Sequence, residues 1–282
     1  MSPIASVVVP AHDEQAVIER CLTALATGTR PGELEIVVVA NACHDDTAAV
    51  AKAAGAVVLE TPIAGKANAI RLGDGRCATF PRLYLDADSE LTGAGVRAMV
   101  AALAATGAPA CAPTPDFDAT GAPWPVRGFH RALRALLGER RSLSGAGAYM
   151  LSAAGHDRVF PMPDVLADDG WVHRTFQADE RIVVPAARVA VRLPRSVAAV
   201  IRRRARVRLG NQELSRLGRP ATEAPLRPGA LVGLVRRREV APADAACFLG
   251  VLFAERVVAR WRAARGTSDT WSPDLTTRGE ST

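Results

Sequence analysis

The sequence predicts an α/β fold with a largely parallel sheet covered by helices on both faces. Three observations predict it. The strand-like runs of the first hundred residues are apolar throughout rather than alternating, helical stretches of about 10–15 residues separate them, and polar clusters fall where those strands end. Strands buried on both faces lose their alternation, and parallel neighbours need crossovers of that length. Such sheets bind ligands outside the carboxyl ends of their strands.

Ala5–Val9 is a short apolar, β-branched run ended by Pro10, and Val17, Ile18, Cys21, Leu22 and Leu25 then recur at helical spacing up to Gly28. Leu34–Val39 reads as a second strand and Asp45–Ala54 as a second helix, with Gly55 as its stop. A third pair follows at Ala56–Leu59 and Lys66–Ala78, and a fourth at Leu83–Leu85 and Thr92–Ala105. Pro109–Pro125, rich in Pro, Asp and Gly, reads as a loop. Beyond it come a helix over Gly128–Leu137, a strand over Ala148–Leu151, a helix around Trp171–Phe176, and strands near Arg181–Val184 and Val189–Arg192. An arginine-rich helix starts at Ser196, residues 219–230 form a Pro/Gly-rich linker, and an amphipathic helix runs over Pro242–Ala264. The polar stretch from Gly266 reads as a frayed tail.

Bulk composition mostly excludes. With 49% apolar and 23% charged residues in 282, the chain can bury a sizeable core, which argues against wholesale disorder. The five cysteines are odd in number and contain no C-x-x-C pair, which argues against a disulfide framework or a zinc site and fits a reducing compartment. No leader-like segment opens the chain, and the apolar stretch Ala245–Ala254 is far short of the ~20 residues that span a bilayer. A soluble, cytoplasmic protein is expected, with peripheral attachment left open. The net charge of +6 is divided unevenly: residues 1–180 carry 15 basic and 21 acidic side chains, residues 181–282 carry 20 and 8. A basic block of that kind suits nucleic acid, a membrane surface or a diphosphate.

Four clusters carry candidate chemistry. Leu83-Tyr84-Leu85-Asp86-Ala87-Asp88-Ser89 delivers two carboxylates from one strand end, suited to a hard divalent cation, or else a polar strand end with a cap at Ser89 or Thr92. Pro10-Ala11-His12-Asp13-Glu14 follows the first strand, where the acids can also cap a helix. Asn41-Ala42-Cys43-His44-Asp45-Asp46-Thr47 follows the second; its acids suit helix capping, while Asn41, which donates and accepts, suits a base edge. Gly65-Lys66-Ala67-Asn68 opens a helix with one of only two lysines, the other being Lys52, and lacks the P-loop pattern.

In this order and spacing the clusters resemble family-two glycosyltransferases with the GT-A fold, a Rossmann-like, mostly parallel central sheet. Gly145-Ala146-Gly147, Asp168-Asp169 and the Arg203–Gly210 segment resemble that family's acceptor-side elements, so the likeness covers about residues 3–215. It implies a catalytic domain over 1–218, with a nucleotide-sugar half at 1–106 and an acceptor half at 107–218, then a linker and helix at 219–265 and a tail at 266–282. The implied enzyme is an inverting, metal-dependent hexosyltransferase using a UDP- or GDP-sugar. Pro10, Ala11, His12, Glu14 and Asn41 would hold the nucleoside, with Lys66 near base or phosphates and Ala87 in the same turn. Asp86 would contact ribose or metal, and Asp88 would hold Mg²⁺ or Mn²⁺ on the diphosphate. Asp169 would deprotonate the acceptor hydroxyl, with Asp168, Gly145, Gly147, Arg203 and Arg206 on the acceptor or diphosphate side. Ala40-Asn41 stand where many members carry acids, which leaves uracil against guanine open.

Asp168-Asp169 can also cap the Trp171 helix, and His173 one turn on suits a metal ligand, a helix surface or the acceptor pocket. Residues 202–208 suit a solvated helix face or the donor diphosphate, with Arg203 and Arg206 on one side at i, i+3. No aromatic residues interleave with these arginines, which argues against nucleic acid. The resemblance implies that the acceptor would be a hydroxyl compound, lipid-linked or small. The apolar face of the last helix, with Phe248, Leu249, Val251, Leu252 and Phe253, fits docking on the domain's core better than an anionic membrane, and a homodimer stays open. A haloacid-dehalogenase-like phosphatase would need a lysine after Lys66, and the chain has none. A non-catalytic sugar-nucleotide binder shares every donor-side feature. A dinucleotide-binding dehydrogenase lacks its G-x-G-x-x-G.

Overall fold

Alternate residues of the first strand point to opposite faces, and both sets are apolar. In the computed structural model, which describes residues 2–137, 143–222 and 229–265, β1 (Ala5–Ala11) is buried along its whole length. Val7, Val9 and Ala11 face one layer and Val8 the other, so each side chain finds a helix to pack on.

The chain then alternates through α1 (Ile18–Ala26), β2 (Leu34–Asn41), α2 (Thr47–Ala53), β3 (Val57–Thr61), α3 (Lys66–Arg76) and β4 (Arg82–Leu85). A short β5 (Glu90–Leu91) precedes α4 (Gly93–Thr106). The rest comprises β6 (Ala110–Asp118), α5 (Trp124–Leu137), β7 (Ala148–Leu151), α6 (Ala153–Val159), α7 (Asp168–Thr175), β8 (Arg181–Arg192), α8 (Val197–Arg216), α9 (Ala230–Arg236) and α10 (Pro242–Ala264). One sheet runs in the order β3-β2-β1-β4-β7-β6-β8-β5. The β3-β2-β1-β4 block is parallel and so is β6-β8, whereas β7 runs antiparallel to both neighbours and β5 antiparallel to β8.

Helices α1, α2 and α4 cover one face and α3, α6 and α7 the other. Gly73 lets α3 lie close: a Cβ there would meet Val8 Cγ1 at 2.6 Å. Between α3, β4 and α6 sits a buried polar knot. Asp74 accepts from Arg82 at 2.7 Å and from the Tyr84 hydroxyl at 2.6 Å, and its other oxygen lies 2.9 Å from His156 Nε2. Stripping one partner from a buried ion pair costs about 3–5 kcal/mol. An exposed pair such as Lys52–Glu60 is worth about 0–1 kcal/mol. A third apolar cluster joins α5, α8, α9 and α10, with Phe129 stacked on Phe248 at 5.6 Å between ring centroids.

Four expectations need correction. Residues 110–118 form β6, not a loop. Beyond Cys111 that strand pairs on one side only, with β8, and a one-sided strand tolerates proline at alternate positions such as 113 and 115. The two strands expected at 181–184 and 189–192 are one, β8, with a register shift opposite Pro113/Thr114. The helix expected from Trp171 begins at Asp168. Finally, the helix expected over Gly128–Leu137 is α5 and begins at Trp124, while α6, α9 and the two-residue β5 had no clear sequence signal. Residues 223–228 of the expected linker and the tail from Gly266 lie outside the described residues. Among the described residues, no helix is long and apolar enough to cross a membrane.

Candidate active site

The carboxyl ends of β1 and β4 open into a cavity of about 860 Å³, within the size range of small-molecule sites. Its wall is completed by the Ile63–Asn68 segment, the turn before β7, the loop into α7 and the arginine face of α8.

The turn after β4 is tightly held. Asp86 donates its backbone N–H to the Gly147 carbonyl at 2.8 Å, and Ser89 N–H closes on Asp86 O at 3.0 Å. Gly147 stands at φ +71°, and a Cβ there would lie 2.3 Å from Ser89 Oγ, so only glycine allows this approach. Asp86 and Asp88 thus line the cavity from one rigid turn. Two carboxylates from a fixed turn are the hard-oxygen donor set that Mg²⁺ or Mn²⁺ accepts, so these residues fit such an ion.

Lys66, the first residue of α3, joins the two halves of the site. Its Nζ lies 2.7 Å from Asp86 Oδ1 and 2.9 Å from Asp168 Oδ1. Burial works against the ammonium, but Asp168, Asp86 and Asp169 outweigh it and raise the lysine above its ordinary value. Burial pushes the Asp168 carboxyl up; Lys66 pulls against that rise, and Asp169 and Asp86 add to it. Lys66 therefore sits among the carboxylates.

Asp169 is held differently. It accepts from Gly145 N–H at 2.8 Å and Gly170 N–H at 2.7 Å, in the first turn of α7, and it is less buried than Asp168. Both acids lie inside the helix, whose N-cap is Ala167, so neither is the cap. Arg203 and Arg206 line the same cavity. Burial and the neighbouring Arg203 hold Arg206 below its ordinary value, opposed by Asp86, Asp168 and Asp169; an arginine nevertheless stays charged.

Pro10, Glu14, Lys66, Asp86, Ala87, Asp88, Gly145, Gly147, Asp168, Asp169, Arg203 and Arg206 all line the cavity. Three expected donor contacts do not. Ala11 is fully buried in β1. His12 turns its Nδ1 onto the Asn41 carbonyl at 2.7 Å. Asn41 is fully buried, with its amide donating to Ile63 O at 2.9 Å and accepting from Gly65 N–H at 2.9 Å. It holds the Ile63–Gly65 segment, which does line the cavity. His173 is buried against Arg181, which excludes a helix-surface position, though it lies on the cavity wall.

Two cavity residues carried no sequence signal. Tyr149 reads as core within β7, yet its hydroxyl is buried at the cavity with no hydrogen-bond partner among the described residues. Ile63, 66% exposed, offers an apolar edge at the mouth.

A family model described as Glycosyl transferase family 2 matches residues 6–154, more than half of the chain. No curated protein matches the sequence. Among solved structures, a mannosyltransferase from Pyrobaculum calidifontis in complex with GDP-Man and Mn²⁺ is similar at TM-score 0.58 and 19% identity, covering 96% of this chain and 77% of that one. Glucosyl-3-phosphoglycerate synthase from Mycobacterium tuberculosis, in complex with Mn²⁺, UDP-Glc and phosphoglyceric acid, is similar at TM-score 0.55 and 22% identity, covering 77% and 81%. At these identities the likeness is one of fold.

Removing Lys66 would leave Asp168 buried beside two like charges. A carboxyl raised in the folded state binds more protons folded than unfolded, so protonating it restores stability as pH falls through its raised pKa. Lys66→Met is expected to cost about 3 kcal/mol at neutral pH, the low end of the buried-pair range because Lys66 keeps 22% exposure. That deficit, measured by urea denaturation at neutral and at acidic pH, should shrink as the pH is lowered. An equal deficit at both pH values would mean that Asp168 is not the group left uncompensated.

Proposed function

The chain belongs to glycosyl transferase family 2, and we propose that it transfers a sugar from a UDP- or GDP-linked donor to an acceptor hydroxyl by single displacement. The observation that carries this reading is the meeting of Asp86, Asp88, Asp169 and Arg203/Arg206 on one cavity. The complexes of fold neighbours with UDP-Glc or GDP-Man and Mn²⁺ support the donor class and the metal.

Pro10, Glu14 and the Ile63–Gly65 segment form the nucleoside wall. Asp88, with Asp86, holds Mg²⁺ or Mn²⁺, which when bound supplies Lewis-acid neutralisation of the leaving diphosphate. Arg203 and Arg206 face the same growing charge from α8. The Gly145 and Gly170 N–H groups orient Asp169, which takes the acceptor proton as the hydroxyl oxygen attacks the anomeric carbon. Attack from the side opposite the diphosphate inverts that carbon. Asp168 is less suited to this role because Lys66 ties it into the buried ion cluster. These assignments make residues 1–106 the donor half and 107–218 the acceptor half of the catalytic unit.

Arg71 is paired with Asp164 on the cavity wall, whereas Arg174 and Arg202 add further positive charge to the cavity alongside Arg203 and Arg206. With the phosphoglyceric acid found in a fold neighbour, they support a small acceptor bearing an anionic group. On α10, Phe248 and Val251 dock on the core, but Leu249, Phe253, Val257 and Trp261 form an exposed stripe at 52–69% exposure. Arg256 and Arg260 are also exposed, and the helix's two acids, Asp244 and Glu255, are buried. This combination supports peripheral contact with an anionic lipid surface; failure to sediment with phosphatidylglycerol vesicles would remove it.

Incubated with UDP- and GDP-sugars, Mn²⁺ and anionic hydroxy-acid acceptors, the chain should yield an inverted glycoside detectable by mass spectrometry and NMR. Asp169→Asn should lower turnover by about 10²–10⁴-fold while donor affinity stays within about twofold. Turnover unaffected by Asp169→Asn would assign the base elsewhere, and no product from any donor would leave only a sugar-nucleotide binder.

A further inference from the structure

Outside the cavity, the turns after β1 and β2 are laced together. Asp13 Oδ1 accepts from His44 N–H at 2.7 Å, Asp45 Oδ2 accepts from Gln15 N–H at 3.0 Å, and Thr47 Oγ1 accepts from Glu14 N–H at 2.8 Å. This lacing brings a ring nitrogen of His12, a carboxylate oxygen of Asp13 and Cys43 Sγ within 4.8 Å of one another. We propose that His12, Asp13 and Cys43 form a binding site for a divalent transition metal of the zinc class, separate from the Asp86/Asp88 pair.

The geometry and chemistry agree. Tetrahedral zinc with bonds of about 2.0–2.3 Å places neighbouring ligand atoms about 3.3–3.8 Å apart, so the three groups need to close by only about 1 Å. The His12 contact at 2.7 Å ends on a carbonyl, which can only accept, so Nδ1 carries the proton and Nε2 its lone pair. Metal-bound histidines almost always donate their other N–H in this way, here to the Asn41 carbonyl. Nε2 lies 3.9 Å from Asp13 Oδ2, on the side where the ion would sit. His44 Nδ1 is 3.6 Å from the same oxygen but lies outside the three-ligand cluster, so a water would complete the four-coordination that zinc prefers.

In the metal-free state Cys43 is a thiol donating to Ala11 O at 3.5 Å, and burial pushes its pKa up. Metal binding replaces that hydrogen bond by an S–metal bond and releases the thiol proton to solvent, with no redox change. The softer donor set selects zinc, cobalt or iron, whereas the all-oxygen Asp86/Asp88 pair suits magnesium or manganese. The cysteine spacing hides the site because its ligands come from two different turns. An ion there would staple the β1 and β2 turns, and Glu14, next to Asp13, lines the donor cavity.

The full chain, stripped with chelator, would be titrated with Zn²⁺ by calorimetry and with Co²⁺ by absorption spectroscopy. The site predicts a thiolate-to-cobalt charge-transfer band that saturates at one equivalent and a rise in melting temperature with zinc. Cys43→Ser should abolish the band, and both it and His12→Ala should weaken Zn²⁺ by at least about 100-fold. Asp88→Ala should leave the band intact. Circular dichroism of the metal-free variants checks that they fold. A cobalt complex without the band, a band that survives Cys43→Ser, or zinc affinity unchanged in both ligand variants would overturn the proposal.

Discussion

The ammonium of Lys66, held between Asp86 and Asp168, is the interaction on which the site depends. Asp86 comes from the end of β4 and Asp168 from the start of α7, elements 82 residues apart in sequence. Without a cation between them, these two acids would repel across a partly dry cavity. The surrounding structure places Lys66 there: Gly65 at φ +143° turns the chain into α3, and the buried Asn41 amide holds the preceding segment. The nearby Asp74–Arg82–Tyr84–His156 knot ties α3 to β4 and α6. One ion cluster therefore rests on a second, purely structural one.

The uneven charge distribution takes on a spatial meaning. Acidic groups from the first 180 residues meet arginines from the last hundred at a single cavity, where Arg203 and Arg206 project from α8 towards Asp86, Asp168 and Asp169. Other arginines of that helix serve packing: Arg204 and Arg208 pair with the buried Glu255 of α10. The basic block is thus divided between holding the C-terminal helix and lining the cavity.

Much of this was legible in the sequence where burial imposes a period. Strands β1, β2 and β4 read correctly because both faces are covered, and α10 was read to its exact ends from its apolar face. β6 was not legible, because its Pro, Asp and Gly neighbours carry turn chemistry and only pairing with β8 makes the segment a strand. The residues that line the cavity next to strand ends were legible for the same topological reason. Asn41, His12 and Ala11 were placed one layer too far out, since a sequence does not show which way a polar side chain turns at a strand mouth. Tyr149 escaped notice because a tyrosine in an apolar strand looks like core until the cavity beside it is seen.

We propose that the carboxylate turn after β4 couples a divalent cation to a sugar nucleotide. Calorimetric titration of UDP-glucose and GDP-mannose, each with and without Mn²⁺, tests it most directly, with Asp88→Ala as the comparison. One donor should bind at least about tenfold more tightly with Mn²⁺, worth about 1.4 kcal/mol or more, and Asp88→Ala should erase that difference. Affinity for both donors that does not change with Mn²⁺, or a Mn²⁺ effect untouched by Asp88→Ala, would contradict the account.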